Sequence, residues 1–76
     1  MASNPDYILI LNNYLQSTGE AHLLSWEFSQ IGPEHQATHT AVVKLRGYPV
    51  SQGSATTRTV ARQIASYHFL KSRKQI

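Results

Sequence analysis

The strongest constraint on the fold of this chain is the alternation of apolar and polar residues in its middle third. In the first alternating segment the apolar positions are Leu24, Trp26 and Phe28, with Ser25, Glu27 and Ser29 between them. In the second segment one side carries His39, Ala41, Val43 and Leu45, and the other carries Thr40, Val42, Lys44 and Arg46. Apolar side chains at every second position are typical of a strand with one buried face. Gly32 and Pro33 lie between the two segments and favour a turn, so the strands are predicted to pair antiparallel.

The strand signal weakens further along the chain. Gly47 is predicted to end the second strand, and residues 48–51 to form a short third strand that Pro49 weakens. Residues 53–57 are then predicted to be a loop that leads into a helix, because a threonine hydroxyl there can accept a hydrogen bond from the first free amides of that helix.

Apolar residues at helical spacing flank this central region. In the first helix, predicted over residues 5–17, they are Tyr7, Ile8, Leu11, Tyr14 and Leu15. Asn4, Pro5 and Asp6 indicate its start, and Gly19 follows its end. Ile10 and Asn13 lie off the apolar stripe, on a flank that is predicted to be more exposed.

The second helix is predicted over residues 57–72. Ala61, Ala65 and Phe69 recur at intervals of four, and Val60, Ser66 and Leu70 lie beside them. Small residues in this stripe allow the helix to sit close to a sheet. The predicted fold class is therefore α+β, with the order α-β-β-β-α, a three-stranded antiparallel sheet and both helices packed on one face.

Length and composition limit what such a fold can do. The 76 residues are enough for one domain, predicted over residues 1–76 with its core at about 5–72, and they include no cysteine for a disulfide or a thiolate ligand. Hydrophobic residues make up 41% of the chain and charged residues 14%, which predicts folding rather than disorder. Neither a membrane-spanning run nor a leader pattern is apparent, so the expected location is intracellular, in cytoplasm or nucleus.

Catalytic patterns are missing from the sequence. The carboxylates, Asp6, Glu20, Glu27 and Glu34, are scattered over a helix start, a loop, a strand and a turn. His35 and His39 are four positions apart, but the turn ahead of them argues against the helical spacing of a metal site. The chain is predicted not to be an enzyme and to need no cofactor or metal.

An anion-binding surface is easier to derive. Arg58 and Arg62 lie one turn apart at the start of the last helix, where guanidinium donors and free backbone amides both suit phosphate oxygens. The same spacing also fits two arginines on a solvated helix face. The formal net charge of +3 does not decide between these readings.

The order of elements and four short blocks resemble the double-stranded RNA-binding domain family. The blocks are residues 11–16 (LNNYLQ), residues 32–35 (GPEH), the two glycines Gly47 and Gly53 around the third strand, and residues 61–66 (ARQIAS) continuing to Phe69 and Leu70. Together they cover nearly the whole chain. The resemblance implies the same α-β-β-β-α fold and a non-catalytic module, part of an RNA-processing or RNA-silencing protein, that binds double-stranded RNA by shape.

The resemblance also implies site residues. Asn13 stands where the family has a polar minor-groove contact, Gln16 at its helix-end glutamine, and His35, two positions after Pro33, at its loop histidine. Arg58 and Arg62 match the first and third cations of the family's phosphate clamp. The implied RNA-binding residues are Asn13, Gln16, Pro33, His35, Arg58, Thr59 and Arg62.

Departures from the family pattern keep a second function open. Thr59 replaces the middle lysine of the clamp and Ala55 replaces a glycine in the preceding loop. His39 stands where the family has a core aromatic, and its strand parity predicts that it faces inward. The alternative is a protein-interaction or dimerisation module with weak or no RNA binding, supported by apolar residues that could form exposed patches: Ile8, Ile10, Val42 and Ile64.

Overall fold

A computed structural model describes residues 5–76 and has the order α-β-β-β-α, which confirms the predicted fold class. The main elements are α1 (Tyr7–Thr18), β1 (Leu24–Ile31), β2 (Thr38–Leu45), β3 (Tyr48–Ala55) and α2 (Arg58–Ser72). Short 3-10 helices precede β1 (Ala21–Leu23) and β2 (Glu34–Gln36). Asn4, assigned above to the start of the first helix, lies outside the described residues. Within residues 5–76, neither α-helix combines the length and apolarity needed to cross a membrane.

The sheet is antiparallel with the strand order β1-β2-β3, as the alternation predicts. On its inner face Ala41, Val43 and Leu45 are buried, and His39, at the same parity, is half-buried. β2 ends at Leu45. The prediction that Arg46 belongs to the strand is therefore wrong. Arg46 lies instead in a two-residue turn with Gly47, and both residues have positive φ (54° and 81°).

Both helices pack on this inner face and close a single core. Their packing joins buried residues of α1, β2 and α2: Leu11, Leu15, Val43, Leu45, Ala65, Phe69 and Leu70. Val60, predicted beside this stripe, is instead 46% exposed. Ile10, predicted on an exposed flank, is half-buried and packs against the core.

The first helix begins later than its sequence pattern predicts. Asp6 is the N-cap of α1, and its carboxylate Oδ1 accepts a hydrogen bond from the backbone N–H of Leu9 at 3.1 Å. Pro5 therefore precedes the helix instead of lying in its first turn. At the other end Gly19 adopts φ 76°, the left-handed conformation that commonly closes a helix, and this confirms the predicted stop.

The third strand is twice as long as the sequence indicated. β3 continues through Gly53 to Ala55, although these residues are predicted to be loop. They lie in a strand because Gly53 pairs with Ala41 and Ala55 pairs with His39 of β2. Gly53 also lets α2 approach closely. A Cβ at this position would lie 2.6 Å from the backbone N of Ala65 and 2.7 Å from the backbone O of Ala61.

Candidate nucleic-acid interface

Two of the sequence-predicted site regions lie at the same end of the sheet. Gln30, His39 and Ala55 form a row across the three strands at this end. The β1–β2 loop (residues 32–37) and the start of α2 therefore emerge side by side from the same end. Any ligand that spans this end of the sheet can meet both.

The β1–β2 loop is short and locally ordered. Pro33 precedes the 3-10 helix Glu34–Gln36, and its carbonyl accepts a hydrogen bond from the backbone N–H of Gln36 at 2.9 Å. His35 lies within this turn of helix and is exposed, as is Glu34 beside it. The loop thus presents an imidazole and a carboxylate to solvent together.

The start of α2 carries the predicted phosphate-binding residues. Thr57 is the N-cap, and its hydroxyl accepts a hydrogen bond from the backbone N–H of Val60 at 3.2 Å, as the sequence predicted. Arg58 and Thr59 follow it and are exposed, and Arg62 is half-buried one turn later. Two guanidinium groups and the free backbone N–H groups at the N-terminus of α2, the positive end of the helix dipole, therefore face the same region.

Both arginines lie against aromatic rings of β1, a contact that the sequence analysis missed. The Cζ atom of Arg58 is 4.7 Å from the centroid of the Phe28 ring, and that of Arg62 is 5.0 Å from a ring centroid of Trp26. The two rings are themselves stacked, with centroids 6.1 Å apart and planes 8° from parallel. We call Arg58 and Arg62 the arginine pair, and Trp26 and Phe28 the aromatic pair.

Two separate sequence patterns each predict one side of this contact. Trp26 and Phe28 share the strand parity that turns them toward the helices, while the arginines share a helix face at a spacing of four. Neither pattern alone says that the two faces meet. The Nε of Arg62 is covered and makes no hydrogen bond to any described residue, which leaves its terminal Nη groups as the donors for an outside partner.

Helix α1 carries the other two predicted residues. Asn13 and Gln16 are exposed and lie three positions apart, on the same side of the helix. Both residues belong to α1, whereas the arginine pair belongs to α2.

Gln63 connects this helix to the arginine pair. Its Oε1 accepts a hydrogen bond from the backbone N–H of Tyr7 at 2.8 Å, and its Nε2 donates to Oδ1 of Asp6 at 3.2 Å. The backbone N–H of Leu9 and the Gln63 amide together lower the pKa of Asp6, and the charge of Arg62 adds to this effect. Gln63, which sequence reasoning did not single out, thus links the start of α1 to the turn of α2 that carries Arg62.

The remaining cations lie elsewhere, and Arg46 is in the β2–β3 turn at the opposite end of the sheet. Lys44 pairs with Glu27 on the outer face of the sheet, with Nζ and Oε1 3.4 Å apart. Lys71, Arg73 and Lys74 lie at or just beyond the C-terminal end of α2, and the Cζ atom of Arg73 lies over the Phe69 ring, 4.9 Å from its centroid. Arg58 is about 22 Å from Arg73 along the helix, at about 1.5 Å per residue.

The four apolar residues that motivated the alternative function are all half-buried: Ile8, Ile10, Val42 and Ile64. The large apolar residues exposed within residues 5–76 are different ones: Leu9, Phe28, Ile31, Tyr48, Val50, Val60 and Ile76. Ile31 and Tyr48, both 72% exposed, lie at opposite ends of the sheet and do not form one patch.

Other site types find little support in the part of the chain that the structure covers. Among residues 5–76 no three His, Cys, Asp or Glu side chains come together in a way that could hold a metal ion. No family model matches the chain, and no curated protein matches it either.

Proposed function

We propose that this chain is a double-stranded RNA-binding domain that recognises an RNA duplex by shape. The observation that carries the proposal is the position of the arginine pair, which starts α2 at the same end of the sheet as the Pro33–His35 loop. That arrangement suits a rod-shaped polyanion that crosses both regions. Two of the four sequence blocks that resemble the family lie in these regions: residues 32–35 in the loop, and residues 61–66 in the part of α2 that carries Arg62.

Each region has a distinct task in this proposal. Arg58 and Arg62 bind phosphates across the major groove, while Pro33 and His35 enter one minor groove. Asn13 and Gln16 contact ribose hydroxyls in the neighbouring minor groove, so that about 16 base pairs are covered. The 2′-hydroxyl contacts provide the preference for RNA over DNA.

Thr59 sets the expected strength of the electrostatic contribution. It offers a hydroxyl and no charge where the family has its middle lysine, so two cations neutralise phosphates instead of three. The slope of log affinity against log salt is expected to be shallower by about 0.9 for the missing phosphate contact. The proposed role is a non-catalytic module of an RNA-processing or RNA-silencing protein.

The proposal is tested by titrating the protein with an RNA duplex of about 20 base pairs at several salt concentrations, with a DNA duplex of the same sequence as control. We expect tighter binding to RNA and an affinity that falls with salt. Equal affinity for the two duplexes, or no binding to either, would refute it. In that case a concentration-dependent mass in sedimentation would favour the protein-interaction alternative.

Charge removal then locates the contact. Replacing Arg58 and Arg62 by Ala is expected to weaken binding to all duplexes alike and to reduce the salt slope by nearly two units. Replacing Arg73 and Lys74 by Ala is the matched control, because it also removes two charges, just beyond the far end of the same helix. If the control variant loses as much affinity as the variant without Arg58 and Arg62, the phosphate contact is not at the start of α2.

A further inference from the structure

We propose that Trp26 and Phe28 are positioning residues for phosphate binding: their stacked rings hold the Arg58 and Arg62 guanidinium groups in a fixed orientation. This inference rests on the proposed function and adds two residues that do not themselves need to touch the nucleic acid. Its basis is the four-group arrangement in which each guanidinium lies over its own ring and the two rings lie parallel.

The rings are rigidly supported. They project from β1, where Trp26 and Phe28 pair with Val43 and Ala41 of the central strand, both of which are fully buried. Trp26 also packs against the hydrophobic core. An aromatic side chain has few rotatable bonds, so a ring on a paired strand is a fixed platform for a flexible cation.

A stacked guanidinium remains able to bind phosphate. Stacking uses the flat faces of the group, whereas its N–H donors point outward from its edges and can contact phosphate oxygens in pairs. The ring therefore removes rotational freedom from the arginine without using its donors. Ordering the side chain before the RNA arrives reduces the entropy that binding would otherwise cost.

This arrangement distinguishes arginine from lysine. An ammonium group has no flat face and no paired edge donors, so it cannot be stacked on a ring and grip a phosphate with two hydrogen bonds at once. Arg58→Lys would therefore weaken RNA binding here even though it keeps the charge and restores the residue type of the family's clamp. A purely electrostatic clamp would tolerate this change.

The experiment compares Arg58→Lys, Phe28→Leu and the double variant by titration with the same RNA duplex across salt concentrations. Phe28 is suitable because it is 37% exposed, which limits the effect on folding. Each single variant is expected to bind about 2- to 5-fold more weakly with an unchanged salt slope, because the number of charges is constant. The double variant is expected to be no weaker than the weaker single variant, since both changes remove one contact.

Three control measurements separate positioning from folding. Phe28→Tyr keeps the ring and is expected to retain wild-type affinity. Arg73→Lys disrupts the matched contact with Phe69, at 4.9 Å, and is expected to leave RNA binding unchanged. Trp26 is the only tryptophan, so its fluorescence reports the Arg62 contact without RNA: Arg62→Lys is expected to make Trp26 easier to quench with acrylamide.

The outcomes are distinguishable from those of the proposed function. If wild-type protein does not bind RNA, the function fails and the quenching result still tests the stacking. If wild-type binds RNA but Phe28→Leu binds equally or more tightly, the positioning role is refuted. Fully additive losses in the double variant would also refute it, since they mean that ring and guanidinium act independently.

Discussion

The side-chain oxygen of Gln63 accepts a hydrogen bond from the backbone N–H of Tyr7 at 2.8 Å, across 56 positions of sequence. The same amide donates to the Asp6 carboxylate, so one side chain of α2 holds the N-terminal end of α1 at two points. Gln63 directly follows Arg62. The hydrogen bonds of Gln63 therefore fix the position of α1 relative to the arginine pair. The separation between α1 and the arginine pair in turn sets the spacing between the proposed minor-groove and major-groove contacts.

Replacing Gln63 by Ala is expected to reduce the free energy of unfolding by about 1–2 kcal/mol, because two hydrogen bonds are lost. RNA affinity is expected to fall while the salt slope stays the same, since no charge changes. Urea unfolding and RNA titration measure the two effects. Gln52→Ala, at an exposed glutamine of β3, is the control and should change neither. Unaltered stability in Gln63→Ala would show that the link contributes nothing.

The Asp6 cap predicts a dependence of stability on pH. Because hydrogen bonds from the Leu9 backbone N–H and the Gln63 amide lower the pKa of Asp6 in the folded state, the ionised carboxylate stabilises the fold above its unfolded pKa of about 3.8. That contribution is lost as the pH falls through the lower, folded pKa. Asp6→Asn keeps a good N-cap but cannot titrate. Its Tm is expected to fall less than that of wild type between about pH 6 and about pH 3, by calorimetry. Parallel losses would contradict this role of Asp6.

The loop histidine predicts a different signature from the arginines. His35→Ala is expected to weaken binding to duplex RNA while barely changing the salt slope, because in the proposal His35 contacts the minor groove rather than a phosphate. Binding to duplex DNA should change less than binding to RNA. A slope reduced as much as in Arg58→Ala would instead assign His35 to phosphate binding.

Short-range patterns predicted the elements and the buried faces well. The burial of Ala41, Val43 and Leu45 follows from a strand period of two, and that of Leu11 and Leu15 from a helical period. The second half of β3 was not predicted, because Gly53 and Ser54 have weak strand preference. These residues are in a strand because β2 offers them partners, and this is information that lies elsewhere in the chain.

The candidate site was predictable only in part, for a similar reason. The spacing of Arg58 and Arg62 places them on one helix face, and that required only local sequence. Their contacts with the aromatic pair, and that of Gln63 with Tyr7, depend on how α2 lies against the sheet and against α1. No periodicity encodes such contacts between distant segments.

The turn between β2 and β3 contains a residue that is poorly suited to it. Arg46 has φ 54° and Gly47 φ 81°, the conformation of a two-residue hairpin turn in which asparagine followed by glycine is strongly preferred. Arg46→Asn is expected to raise the free energy of unfolding by about 1 kcal/mol, measured by urea unfolding. RNA affinity should not change, although a cation is removed, because this turn lies at the end of the sheet opposite the arginine pair. A clear loss of RNA affinity would show that the RNA-binding surface extends to this end.

Gly53 provides the most direct test of how the sheet positions α2. A methyl group at this position would lie within 2.7 Å of backbone atoms of Ala61 and Ala65, and backbone atoms can make room only if the helix moves. Gly53→Ala is therefore expected to reduce the free energy of unfolding by about 1–3 kcal/mol. Because the moved helix carries Arg58 and Arg62, RNA affinity should fall as well, even in the fraction that remains folded. Gln52→Ala, an exposed neighbour on the same strand, is the control and should preserve both. If Gly53→Ala binds RNA as tightly as wild type while folded, the close approach of α2 to β3 does not determine where the arginines lie.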